Sequence, residues 1–164
     1  MTISGLTYSN KDEWYTPSDV VHYFGNFDYD PATTKEQAKY LNIPNYDTIE
    51  TNGLNTDWSI FSKIWINPPF TRKFDFLEKA AFTVKTALTD VYILFPIDSM
   101  TSKKFHEIVK KYRVGYTMYI PSGRVNFIDK ESVKNSPSFG SVILLLNPDS
   151  TDLSIQHIKF DKEM

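Results

Sequence analysis

The chain has no cysteine among its 164 residues, which excludes a disulfide framework and a thiolate metal site. Glycine is scarce, six in all, and no stretch carries the Gly-rich spacing that cradles phosphates. No apolar run approaches the ~20 residues a membrane-spanning helix needs. The first ten residues lack the basic-then-apolar pattern of a secretory leader. The three histidines, His22, His106 and His157, are scattered and have no ligand partners at metal spacing, so no metal centre is expected. Nucleophile-elbow motifs, internal repeats and low-complexity segments are also missing. A soluble protein of a reducing, cytoplasmic compartment is the expectation these absences leave.

What is present is a globular composition, 41% hydrophobic and 15% aromatic, in a length that suits one domain over residues 1–164. The formal net charge is −2, yet the charge is unevenly placed. Residues 1–60 hold three Lys/Arg against nine Asp/Glu, a net of −6, whereas residues 61–134 hold 13 against seven, a net of +6. Such polarity points to one face that meets an anion.

Hydrophobic pattern and turn chemistry give the element order. Thr16-Pro17-Ser18-Asp19 predicts a helix start, with Thr16 as N-cap, Pro17 at the first position and an acid in the first turn. Residues 27–30 read as a short first strand ending at Pro31, and Thr33 or Thr34 caps a helix running to about Leu41. The polar stretch 42–62 reads mostly as loop, with a short strand near 48–51. Residues 64–66 form a buried strand, and 74–88 a helix. The unbroken apolar run 91–96 predicts a central strand covered on both faces. Thr101 is expected to cap a helix whose apolar stripe is Phe105, Ile108, Val109 and Tyr112 and whose outer face carries Lys103, Lys104, His106 and Lys110. Residues 116–120 and 141–146 complete the strand set, with a short antiparallel piece at 125–128 and an edge strand at 154–160. Alternation of strands and helices predicts an α/β domain with a mainly parallel sheet.

The stretch Lys-Ile-Trp-Ile-Asn-Pro-Pro-Phe at 63–70 is the most informative. Asn67-Pro68-Pro69-Phe70 stands where a strand of an open sheet ends, which is where such sheets place ligands. The prolines fix φ and donate no hydrogen bond, so a rigid loop presents carbonyl acceptors. An amide oxygen, a fixed carbonyl and an aromatic face can together hold an exocyclic amino group.

This turn resembles the Asp/Asn-Pro-Pro-Tyr/Phe signature of S-adenosylmethionine-dependent amino-methyltransferases. The ordered set along the chain is similar to the small phage-type (Dam-like) DNA N6-adenine methyltransferases. It comprises Trp14-Tyr15-Thr16-Pro17, the Asp30-Pro31-Ala32 strand end, Gly53-Leu54, Trp58, Asn67 to Phe70, Pro96, Thr101 and Phe105-His106. Gly123-Arg124, Phe127 and Pro137-Ser138-Phe139-Gly140-Ser141 continue it. The resemblance implies an abbreviated Rossmann-like methyltransferase fold with a mainly parallel sheet, an antiparallel C-terminal strand and no separate target-recognition domain. It implies S-adenosylmethionine as cofactor, held by Trp14, Tyr15, Thr16, Pro17, Asp30 and Ala32. A further acid at a second strand end would hold the ribose; Asp47, Glu50 and Asp57 are candidates, and Asp57 beside Trp58 is preferred.

The same resemblance assigns the chemistry to Asn67, Pro68, Pro69 and Phe70, with a flipped adenine of DNA stacked on Phe70. Arg72, Lys73, Lys103, Lys104 and Arg124 are the expected phosphate contacts. Action in the cytoplasm follows, that of the host if a phage encodes the chain. One departure from the wider methyltransferase pattern, which the phage-type relatives tend to share, stands out. Residues 33–38, Thr-Thr-Lys-Glu-Gln-Ala, lack the glycines that let a backbone approach a cofactor closely. That departure keeps open a catalytically silent relative that binds DNA or protein. Methylation of RNA or of a protein amide is the other alternative, since related families reuse the same turn.

Overall fold

The computed structural model describes residues 16–123, 125, 140–149 and 151–160 with their side chains, and the backbone of 2–3, 6–7, 127–128 and 134–135. In chain order the elements are β1 (Thr2–Ile3), β2 (Leu6–Thr7), α1 (Ser18–His22), β3 (Tyr29–Asp30), α2 (Lys35–Tyr40) and β4 (Asn45–Tyr46). There follow β5 (Lys63–Ile66), α3 (Lys73–Thr86), β6 (Asp90–Pro96), α4 (Lys103–Tyr112) and β7 (Tyr116–Pro121). The chain closes with β8 (Phe127–Ile128), β9 (Lys134–Asn135), β10 (Ser141–Leu146) and β11 (Leu153–Ile158). Among the described residues, seven strands form one sheet in the order β11-β7-β10-β6-β5-β3-β4. Every neighbouring pair is parallel except those of β10, which runs against both β6 and β7.

At the centre of this sheet both faces are buried, which is why its central strands read as continuous apolar runs. Ile64, Ile66, Val91, Ile93, Phe95, Val142 and Leu144 point to one face and pack with Phe76, Leu77, Ala80 and Ala81 of α3 and with Phe105 and Ile108 of α4. The alternate residues Trp65, Leu94 and Ile143 face the other way, toward Val20 and Val21 of α1 and Leu41 and Ile43 beyond α2. Period-2 alternation of side chains thus feeds two cores from one sheet. Each fully buried large side chain contributes about 1.5–3 kcal/mol, so Trp65, Ile66 and Ile93, all 0% exposed, anchor the layers.

Several expectations shift in detail. The antiparallel strand is β10, inserted before the edge, while the last strand, β11, runs parallel to β7. The strand expected near 48–51 lies instead at β4. Residues 48–51 turn, because Thr51 Oγ1 accepts from Thr48 N at 2.8 Å, a local bond that competes with a sheet ladder. Ser102, not Thr101, caps α4: Ser102 Oγ accepts from Phe105 N at 3.2 Å, whereas Thr101 Oγ1 donates to Asp98 O at 2.9 Å within the preceding 3-10 turn. Thr34 caps α2 by accepting from Gln37 N at 3.1 Å. The N-cap of α1 is Pro17, which makes no side-chain cap bond; the Thr16 hydroxyl is engaged elsewhere.

Candidate active site

From β3 the chain runs outward to β4 at the sheet's edge, then returns past β3 to β5 and onward to β6. The strand order therefore reverses between β3 and β5. Loops leaving two such strands diverge, and open α/β sheets bind ligands at that point. Asp30 ends β3 and Asn67 directly follows β5, so the structure brings these two predicted residues to one reversal.

Pro68 has no N–H to continue the β5 ladder, and the turn that follows is rigid. Pro69 O accepts from Arg72 N at 2.9 Å, closing a 3-10 turn over Phe70–Arg72 that leads into α3. Among the described residues no donor reaches the Pro68 carbonyl. Asn67 Nδ2 donates to Thr16 Oγ1 at 3.0 Å, so the amide's nitrogen end faces Thr16 and its oxygen end lies opposite. Thr16 is itself buried, and its carbonyl accepts from Gln37 Nε2 at 3.0 Å. Phe70 is 39% exposed at the mouth of the turn. The Lys73 ammonium sits 3.8 Å from its ring centroid and donates to its carbonyl at 3.2 Å.

Beside this turn, Asp30 is 2% exposed, and its Oδ1 accepts from Ala32 N at 3.0 Å. Burial pushes the Asp30 carboxyl up to about 7, with the Ala32 N–H pulling the other way. Asp47 follows β4 and is tied in by its backbone: its N–H donates to Asp30 O, and its carbonyl accepts from Thr33 N, each at 3.0 Å. Asp47 Oδ2 accepts from Thr56 Oγ1 at 2.7 Å and from the Tyr29 hydroxyl. Burial first, and the Asp47 carboxylate second, raise the Tyr29 phenol, so it stays a donor. Asp47 Oδ1 has no partner among the described residues, and Thr33 Oγ1 is buried without one. Gly53 closes the floor. A Cβ there would lie 2.0 Å from Pro31 O, so only glycine lets the 3-10 turn Gly53–Asn55 press against the Asp30-Pro31 loop. Trp58, expected as part of the same set, donates from Nε1 to Gly53 O at 2.8 Å and holds that turn in place.

The preferred third acid does not stand at the strand end. Asp57 is exposed and caps the 3-10 turn Trp58–Ile60, its Oδ1 accepting from Ser59 N at 2.9 Å and from Ser59 Oγ at 2.6 Å. Those two bonds hold its carboxyl below the usual range. Asp47, another of the candidate acids, occupies the position that a strand-end acid needs. The signal for it was spacing: an acid about 20 residues beyond the first strand's turn is the usual ribose partner, and Asp47 fits that better than Asp57. Thr33 and Gln37 carried no sequence signal for a site.

Trp14, Tyr15 and Arg124 lie outside the described residues. Of the remaining basic residues, Arg72 Nε pairs with Asp75 Oδ2 at 2.5 Å and Lys103 Nζ lies 4.0 Å from Glu107 Oε1. Lys103 and Lys104 occupy the first turn of α4, which contains no acid and follows the carboxyl end of β6. The helix dipole opposes cations there by about 0.3–1 kcal/mol, a cost that a bound anion would relieve. Among the described residues no three His, Asp or Glu side chains are grouped to hold a metal, and no helix is long and apolar enough to cross a membrane.

A family model described as DNA N-6-adenine-methyltransferase (Dam) matches residues 4–162. The DNA N-6-adenine-methyltransferase of Haemophilus phage HP1 (strain HP1c1) is 31% identical over 137 residues, covering 80% of this chain and 75% of the relative. That of Escherichia phage T1 is 28% identical over 168 residues, covering 88% and 69%. In fold, the chain superposes with TM-score 0.51 and 10% identity on a Listeria monocytogenes structure assigned to the class I S-adenosylmethionine-dependent methyltransferases. The match covers 85% of this chain and 53% of that one, so the chain spans about half its length. The sheet is therefore Rossmann-like, as its topology indicates.

Proposed function

The chain belongs to the DNA N-6-adenine-methyltransferase (Dam) family, and we propose that it transfers a methyl group from S-adenosylmethionine to N6 of adenine in DNA. The observation that carries this reading is the Asn67-Pro68-Pro69-Phe70 turn at the strand-order reversal, with its amide oriented by Thr16. An adenine swung out of the duplex would stack on the exposed Phe70 ring. Asn67 Oδ1 and the Pro68 carbonyl would accept its amino hydrogens and raise electron density on the nitrogen. Positioning of this kind supplies most of the acceleration. On this reading residues 1–164 act as one catalytic domain in the cytoplasm, that of the host for a phage-borne chain.

The donor set at β3 and β4 suits an adenosyl group. Asp30 and Asp47 Oδ1 would accept from its amino and hydroxyl groups, and the orphaned Thr33 hydroxyl would gain a partner. Thr16, Pro17 and Ala32 flank the same point, and Trp14 and Tyr15 belong to the same proposed cofactor set. Bound there, S-adenosylmethionine supplies an electrophilic sulfonium methyl. The test is transfer of tritiated methyl groups to unmethylated DNA, followed by nucleoside analysis. N6-methyladenine is the expected product; DNA binding without any methylated nucleoside would favour the silent relative.

Phosphate contacts should dominate affinity for DNA. Lys73, Lys103, Lys104 and Arg124, with Arg72 released from Asp75, are the proposed contacts. Binding is expected to weaken steeply with salt, and Lys103→Ala with Lys104→Ala should lower the log–log slope by about 1.8, near 0.9 per contact. The loss should be similar across unrelated DNA sequences. An unchanged slope in the double variant would move the phosphate path away from α4.

A further inference from the structure

We propose that Gln37 and Thr16 form a relay that holds the Asn67 carboxamide in its accepting pose, which makes both of them positioning residues. The inference rests on the reading of the Asn67 turn as the amino-group acceptor. Two hydrogen bonds carry it: Gln37 Nε2 to the Thr16 carbonyl, and Asn67 Nδ2 to Thr16 Oγ1, each 3.0 Å. They join three segments distant in sequence: α2, the residue before Pro17, and the turn after β5.

A carboxamide at a loop tip has freely rotating side-chain torsions, and its two ends differ little in shape. It accepts from an amino group only when its oxygen faces that group; turned over, two NH₂ groups would oppose each other. The contact of Nδ2 with Thr16 Oγ1 holds the pose in which the oxygen lies opposite. The tether holds only if Thr16 is itself fixed, and the buried side of α2 supplies the fixing. Gln37 is 6% exposed, and burial of a primary amide is costly unless its hydrogen bonds are made. Its donor goes to the carbonyl of Thr16, whose hydroxyl meets Asn67. Pro17 adds stiffness, because its φ of −61° is locked by the ring. The Thr16 hydroxyl thus acts on the acceptor turn through Asn67, beside whatever contact its segment makes with a cofactor.

A double-mutant cycle tests the relay, with each variant checked for an unchanged melting profile. Thr16→Val keeps the shape and removes the acceptor. It is expected to lower kcat about tenfold, measured at saturating S-adenosylmethionine, while leaving KM for DNA within about threefold. Gln37→Met should show the same split at three- to fivefold, and Thr16→Ser should restore the parent kcat. In an Asn67→Ala background, Thr16→Val should cost nothing further, since the group it positions is gone. A second readout needs no turnover: the Asn67 side-chain amide resonances, identified by their loss in Asn67→Ala, should move in Thr16→Val and stay in Thr16→Ser. Additive losses in the cycle, or amide resonances that ignore Thr16→Val, would overturn the relay. A parent chain without methyl transfer whose amide still answers to Thr16 would overturn the proposed function and leave the tether standing.

Discussion

Asn67→Ala is expected to slow N6 methylation by about 10²–10³, equivalent to roughly 2–4 kcal/mol of lost transition-state stabilisation. As nitrogen attacks, positive charge builds on the amino group and its hydrogens become stronger donors. An acceptor held in place gains most at that moment, so truncation should fall on the chemical step rather than on binding. The Pro68 carbonyl survives the substitution and accounts for residual activity. Folding should change little, because Asn67 lies beyond the end of β5 and contributes nothing to the apolar layers on either face. Single-turnover methyl transfer at saturating DNA and S-adenosylmethionine measures the effect directly. A parent-like rate would remove the turn from the chemistry and leave its resemblance to the acceptor signature without a function.

Much of this arrangement was legible because the central strands are buried on both faces. Residues 64–66, 91–96 and 142–146 read as unbroken apolar runs for that reason. β4 gave no such signal: both Asn45 and Tyr46 are exposed, and the strand is two residues long. The place of β10 between β6 and β7 could not be read either, since pairing partners far apart in sequence leave no local pattern. At the site, prolines marked the strand ends beyond β3 and β5, and so Asp30 and Asn67 stood out. Side chains whose partners lie far away did not. Thr16 carries every local mark of an N-cap, yet its hydroxyl meets an amide 51 residues on. Gln37 looks like an ordinary helix residue until its contact with Thr16 is seen. Asp57 drew attention through Trp58, whereas Asp47 is selected by backbone bonds to Asp30 and Thr33 that only the folded chain forms.

The missing glycines after Asp30 have a structural counterpart. A Gly-rich turn lets a backbone approach closely at the first strand's end. Here the close approach comes from a different segment, with Gly53 packed against Pro31 from beyond β4. The loop after Asp30 can then carry side chains, and two of them matter: Thr33 offers a hydroxyl, and Thr34 caps α2 so that Gln37 faces Thr16. Between β3 and β5 lie α2, β4 and two 3-10 turns, and the first of those turns brings Gly53 against Pro31.

Asp30→Asn is expected to make the chain more stable at pH 8 and to leave it near the parent at pH 4. Burial holds the native carboxyl at about 7, against an ordinary value of 3.8. Between those two values the unfolded chain has released the proton and the native chain still binds it. Stability from this group is therefore fully present below about pH 4, falls as pH rises toward about 7, and is gone above it. Three pH units correspond to about 4 kcal/mol at most, close to a factor of 10³ in the folding equilibrium. Asparagine keeps an oxygen for the Ala32 N–H and never ionises, so it removes the penalty. The carboxylate should be restored to use by the cofactor: contacts from an adenosyl group favour the charged form, and parent affinity for S-adenosylmethionine should strengthen as pH rises through about 7, while Asp30→Asn binds weakly and without that slope. Denaturant melts of both proteins at pH 4, 6 and 8, with and without S-adenosylmethionine, check both halves. Parallel pH profiles for parent and variant would mean that Asp30 ionises freely in the native chain, and its burial would then have no bearing on how the strand end holds a ligand.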